Sequence, residues 1–157
     1  MLRGFIGLLQ VLGGAFGFLV FRNFPSLYVP PGTVTLVLVQ LMCAASIAAG
    51  LALWVRPKIG VPLSLFVQLP QAFSFAIWRI TYVFALGPFY GVELTFNSTV
   101  ELERSCHFET YFHVFEPTFI LRTGPRHAGF GLGVNLVSVI IVALLLWSSR
   151  SSKPAKA

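Results

Sequence analysis

VTLVLVQLMCAASIAAGLALWV, residues 34–55, carries no charged side chain, and Arg56-Pro57-Lys58 ends it abruptly. A helix rises 1.5 Å per residue and the hydrocarbon layer of a bilayer is about 30 Å thick, so roughly 20 apolar residues make one crossing. A soluble amphipathic helix of this length would show charged residues along one face, and none occur here. A second apolar run, 59–78, begins directly after the Arg56-Pro57-Lys58 link. So short a link forces the two helices to lie antiparallel as a hairpin.

Working outward, apolar runs of crossing length also cover 4–21 and 128–147. The expected fold is therefore an integral membrane protein, mainly α: a bundle of four transmembrane helices with a small extracytoplasmic β-hairpin or sheet between helices 3 and 4. The third run continues past Trp78 to about residue 86. As a single helix it would be about 42 Å long, more than the hydrocarbon accommodates without steep tilt. Arg79 is accordingly expected at the outer interface, snorkelling beside Trp78 and Tyr82 as an anchor and avoiding the cost of a central charge.

Composition points the same way. Of the 157 residues, 56% are apolar and only 10% charged, and the mean hydropathy is +0.82. A soluble domain of this size does not bury so large an apolar fraction. The net charge of +6 is spread over the ends of the apolar runs, which suits topology rather than nucleic-acid binding. Cys43 and Cys106 fall in different kinds of segment and form no CxxC motif, so cysteine usage leaves the compartment open. Arg3 followed by an apolar run and Ala15-Phe16-Gly17 resembles a secretory signal, but Phe18-Leu19-Val20-Phe21 continues the run, and a retained helix is expected.

Orientation follows from the basic residues. Arg3, Arg56, Lys58, Arg150, Lys153 and Lys156 fall on one side of the bundle with no acid among them, whereas Glu93, Glu101, Glu103, Glu109 and Glu116 all lie between the third and fourth runs. Both termini are therefore expected in the cytoplasm and residues 87–127 outside it. The tail 148–157 is polar and basic, contains Pro154, and reads as a disordered cytoplasmic segment near an anionic leaflet. Pro25, Pro30 and Pro31 make the first link an external cap.

Residues 87–127 change character. Val92 to Asn97 alternates apolar and polar, as does Val100 to Glu103, and period two predicts strands joined at Asn97-Ser98. A third strand over Cys106 to Phe115 is expected, with His107, Glu109, Tyr111 and His113 on one face. About 40 residues is little with which to fold alone, so this aromatic segment is expected to rest on the helices or on a partner. Asn97-Ser98-Thr99 is also a glycosylation sequon, meaningful only in a eukaryotic secretory route.

Three constellations deserve weighing. Gln10, Gln40, Gln68, Gln71 and Asn135 are amides inside apolar runs, and the last four lie at similar depth. Buried amides in lipid must find partners, so helix-to-helix hydrogen bonding is the plain reading and a polar pocket for a ligand or lipid headgroup the bolder one. His107 and Glu109 share a strand face and are the only metal candidates. His113 stands about 20 Å from His107 along a strand, so one ion cannot join both, and a solvated sheet face is preferred to a metal. Pairs of small residues (Gly13 with Gly17, Ala44 with Ala48, Ser46 with Gly50, Gly129 with Gly133) are expected to let helices approach closely.

No P-loop, HExxH, GxSxG or paired CxxC motif occurs, and Asp is absent. The expected function is a non-enzymatic accessory or assembly component, without a cofactor, that contacts the lipid bilayer and a membrane-protein partner or second copy through its bundle and external segment. The alternative is a small-ligand or lipid binding and transport module built around the amides at the midplane.

Overall fold

The computed structural model describes residues 1–23, 33–77, 80–98, 104–114, 117–123 and 129–150. Within them lie α1 (Leu2–Asn23), α2 (Thr33–Val55), α3 (Pro57–Ala72) and, after an intervening sheet, α4 (Leu136–Arg150). The sheet strands are β1 (Phe73–Ile77), β2 (Ile80–Ala85), β3 (Phe89–Ser98), β4 (Arg104–His113), β5 (Thr118–Thr123) and β6 (Gly129–Asn135). Their order is β4-β3-β6-β1-β2-β5, and every neighbouring pair is antiparallel.

Two helices, α1 and α2, are long and apolar enough to cross a membrane by length and composition; Leu136–Ser149 is a shorter apolar helix. At 16 residues α3 is about 24 Å long, and at 15 residues α4 is about 22 Å. Here the structure corrects the sequence reading. The third apolar run is helical only to Ala72 and then becomes β1 and β2, while the fourth is a strand up to Asn135 before its helix begins.

Physical reasons for both switches are local. Pro70 removes a helical N–H near the end of α3. Beyond it, Phe73-Ser74-Phe75-Ala76-Ile77 and Ile80-Thr81-Tyr82-Val83-Phe84 are rich in aromatic and β-branched residues that fit a pleated sheet. The loosened helix end is closed by side chains: Gln71 Nε2 donates to the Val67 carbonyl at 3.1 Å and the Tyr82 hydroxyl donates to the Pro70 carbonyl at 2.9 Å. At the other switch Asn135 is the N-cap of α4. Its Oδ1 accepts from the Val137 N–H at 3.2 Å, satisfying one of the donors that a helix start leaves open.

As a result α3 runs straight into β1, and β6 runs straight into α4. These two composite arms lie side by side, because β1 pairs with β6 from Phe73↔Val134 to Ile77↔Phe130 while α3 packs on α4. The strand extensions add about 16 Å and about 23 Å to the short helices.

Packing divides into two cores. Ile6, Leu53, Val61, Ile141 and Leu145 join all four helices at the end where α1 begins. Phe21, Val39, Cys43, Phe84, Leu86 and Phe119 join the other ends of α1 and α2 to β2 and β5. Between the two cores, Gly13, halfway along α1, lies against the carbonyl of Leu86, and Gly87 turns the chain there with φ +131°, a backbone conformation that suits glycine. The base of the sheet is thus level with the middle of α1, and β2 runs beside the second half of that helix.

The small-residue pairs take different roles. Ser46 and Gly50 do face α1, but Gly13 and Gly17 meet the base of the sheet at Leu86 and Pro117, and Gly129 and Gly133 belong to strand β6 rather than to a helix. The hairpin also differs from expectation. β3 continues through Asn97 to Ser98 and pairs with β4 from Phe89↔His113 to Ser98↔Arg104, so the turn is not at Asn97-Ser98. The expected strand at 100–103 lies outside the described residues, as do Trp78, Arg79, the proline-rich link and the tail from 151.

Candidate functional site

Of the four amides expected at one depth, Gln71 and Asn135 each serve their own junction and do not meet. Gln71 is buried, and its Oε1 accepts from the backbone N–H of Leu86 at 2.8 Å, tying the end of α3 to the base of the sheet. Asn135 is equally buried. Besides capping α4, its Oδ1 accepts from Tyr90 N–H at 3.3 Å and its Nδ2 donates to Ser138 Oγ at 2.9 Å. Gln68 is buried in α3, and Gln40 is only half-buried on α2. Gln10 instead forms the polar knot between helices: Ser64 Oγ donates to its Oε1 at 2.9 Å and Ser46 Oγ to its backbone carbonyl at 3.0 Å. Depth counted along the sequence missed this, because Gly7 and Gly14 bring α1 close against α2 and Ser64 reaches Gln10 from α3.

The sheet has two unlike faces. One row across it reads Glu109, Glu93, Gly133, Ser74, and the neighbouring row brings Tyr111, Gly91 and Asn135 to the same side. On this side the Tyr111 hydroxyl donates to Glu93 Oε2 at 2.9 Å, and Phe89 stacks on the Tyr111 ring. Burial, and then the Glu93 carboxylate beside it, push the Tyr111 phenol well above its ordinary range. Glycines are required here for space: a Cβ on Gly91 would come 2.6 Å from the Tyr111 ring, and one on Gly133 would strike Ser74 Oγ. Toward the base this face opens on a cavity of about 220 Å³ lined by Val83, Ala85, Phe89, Tyr111, His113, Thr118 and Ile120.

The opposite face is apolar. Where β2 and β5 meet α1 and α2 it is covered, burying Phe84 and Phe119. Elsewhere it is bare: Phe73, Ile77, Ile80, Phe96, Phe130 and Leu132 are exposed, and on β4 Phe108 and Phe112 are 67% and 61% exposed. Such a contiguous apolar surface marks a place of contact, unlike single exposed leucines. Among the described residues β4 is also an edge strand of ten residues, paired on one side only. A long edge strand presents unpaired backbone groups to any strand that can reach it.

His107 and Glu109 lie exposed on the polar side of β4, Glu109 directly opposite Glu93. Among the described residues no group of three or more His, Cys, Asp or Glu side chains is placed to hold a metal ion. Arg79 lies outside the described residues.

The chain matches no family model, no curated protein and no solved structure. Its functional reading therefore stands on this geometry.

Proposed function

We propose that the chain is a four-crossing integral membrane protein that acts as a non-enzymatic accessory or assembly subunit and docks a membrane-protein partner, or a second copy, on the bare apolar face of its sheet. The basic residues Arg3, Arg56 and Lys58 support a cytoplasmic side that holds the start of α1, the α2–α3 link and both termini, with residues 87–127 on the far side. α1 and α2 cross as helices. The third and fourth crossings begin as α3 and α4 and are completed outward by β1 and β6, whose outward residues Phe73, Ile77, Phe130 and Leu132 continue the exposed apolar surface of Phe66, Leu69, Val139 and Ile140 on the helices.

The observation that carries the partner contact is the exposure of Phe108 and Phe112 on an edge strand whose outer side has no strand partner among the described residues. Close to a membrane, unpaired strand edges are costly because no water replaces the missing partner. A partner strand or apolar surface relieves that cost. Gln71 and Asn135 are each engaged at a separate helix–strand junction, which gives the binding-module alternative less support than the docking reading.

Phe108→Glu/Phe112→Glu tests this. Wild-type protein extracted in mild detergent is expected to elute as a complex, homomeric or with a co-purified protein in fixed ratio. The double variant should elute as a monomer with an unchanged melting temperature. A wild-type chain that elutes alone and matches the variant contradicts the proposal.

A further inference from the structure

We infer that the open cavity where α1 and α3 begin and α4 ends is a binding site for a phosphate group, borne by an anionic lipid headgroup or free in solution. Its volume is about 420 Å³, and it is lined by Arg3, Pro57, Lys58, Val61, Pro62 and Ser149. That is within the range of small-molecule sites and larger than a bare ion needs.

Arg3 is the fixed element. It is half-buried, its Nη2 donates to the Ser148 carbonyl at 2.7 Å and its Nε to Ser148 Oγ at 3.3 Å. A guanidinium has five N–H donors, so these bonds hold the plane of the group and leave three donors unspent. Phosphate oxygens match that planar fork in pairs, which is why arginine recognises them better than a point charge does. Lys58, exposed and also lining the cavity, adds a flexible ammonium.

No acidic side chain is among the lining residues. All five acids lie between residues 93 and 116, whereas Arg56 adjoins Pro57, Arg150 ends α4, and Lys153 and Lys156 follow it in sequence. Basic side chains thus outnumber acidic ones at this end, which favours anions. Pro57, Val61 and Pro62 give the cavity an apolar wall, which suits the glycerol and first methylenes of a lipid more than hydrated phosphate. In its lipid form the site rests on the membrane reading above; in its free-phosphate form it does not.

The test uses the full-length protein, delipidated in a neutral detergent. It is titrated with inorganic phosphate and, separately, with mixed micelles carrying phosphatidylglycerol or phosphatidylcholine. Intrinsic fluorescence reports locally, since the Trp54 indole donates to the Gly4 carbonyl beside Arg3 and Trp147 adjoins Ser148. Phosphatidylglycerol is expected to bind in preference to phosphatidylcholine, and Lys58→Gln to weaken it about fivefold, the effect of one basic contact. Arg3→Lys, which keeps the charge and loses the fork, should weaken it as well.

A response to phosphatidylglycerol but not to inorganic phosphate assigns the site to a headgroup. Equal responses to both, with the same sensitivity to the two substitutions, assign it to free phosphate. No response to either, or binding unchanged in Lys58→Gln and Arg3→Lys proteins that fold normally by circular dichroism, overturns the site. Lys58 is remote from β4, so a Lys58→Gln protein that loses anion binding and keeps its complex separates this inference from the docking proposal.

Discussion

Replacing Gly50 with leucine is expected to destabilise the protein by about 3 kcal/mol or more, an overpacking effect at the upper end of what single substitutions cause. A Cβ on Gly50 would strike the carbonyl oxygen of Gly7 and come 2.8 Å from Val11 Cγ2 and 3.1 Å from the Val11 nitrogen. Two of those atoms are helix backbone, so relief requires α1 and α2 to separate. Separation also stretches the Ser46 to Gln10 bond and pulls the Trp54 indole from the Gly4 carbonyl. Gly4→Ala is the control, since its Cβ would meet only the Trp54 indole nitrogen at an ordinary 3.8 Å. Urea unfolding followed by circular dichroism in one detergent compares the two. Equal midpoints for Gly50→Leu and wild type would mean that α1 and α2 are not packed at this distance.

Gln71→Leu is expected to cost about 2–3 kcal/mol, because it leaves the buried N–H of Leu86 without an acceptor. The same change also removes the side-chain bond to the Val67 carbonyl. Gln40→Leu should be close to neutral, since Gln40 is half-buried and takes no part in these junctions. The comparison separates two readings of the amides: a shared pocket would respond alike to both changes, whereas junction chemistry responds only to Gln71. Denaturation midpoints of the two variants decide between them.

How much was legible in the sequence divides at Pro70. α1 and α2 occupy the first two apolar runs, because long uncharged stretches report helix length directly. The third and fourth runs hide a change of secondary structure inside unbroken hydrophobicity, and hydropathy does not distinguish a helix from a strand that is apolar on its outer side. The signal was present in period two: Phe73-Ser74-Phe75-Ala76-Ile77 alternates large with small, and Gly129-Phe130-Gly131-Leu132-Gly133-Val134 does so strictly. Reading those glycines as helix-packing residues concealed β6.

The site was legible only in pieces. Tyr111 and Glu109 belong to the face expected for them, but the partners Glu93 and Ser74 come from strands whose pairing depends on the whole sheet order. Asn135 was visible as an amide and not as a cap, since its role depends on a helix start that apolar sequence on both sides obscures. Gln10 was set aside by depth, yet it bonds Ser64, 54 residues away.

The central claim is a membrane protein with cytoplasmic termini and its sheet on the far side, and the two native cysteines offer a direct measurement. Cys106 is exposed on β4 and Cys43 is buried in α2. In intact cells expressing the Phe108→Glu/Phe112→Glu chain, whose docking face around Cys106 is uncovered, a membrane-impermeant maleimide is expected to label Cys106, with no label once Cys106→Ser is added. A Lys58→Cys cysteine in that Cys106→Ser background should label only after the membrane is opened. Protection of Cys106 until lysis, or labelling of Lys58→Cys from outside, would contradict the account.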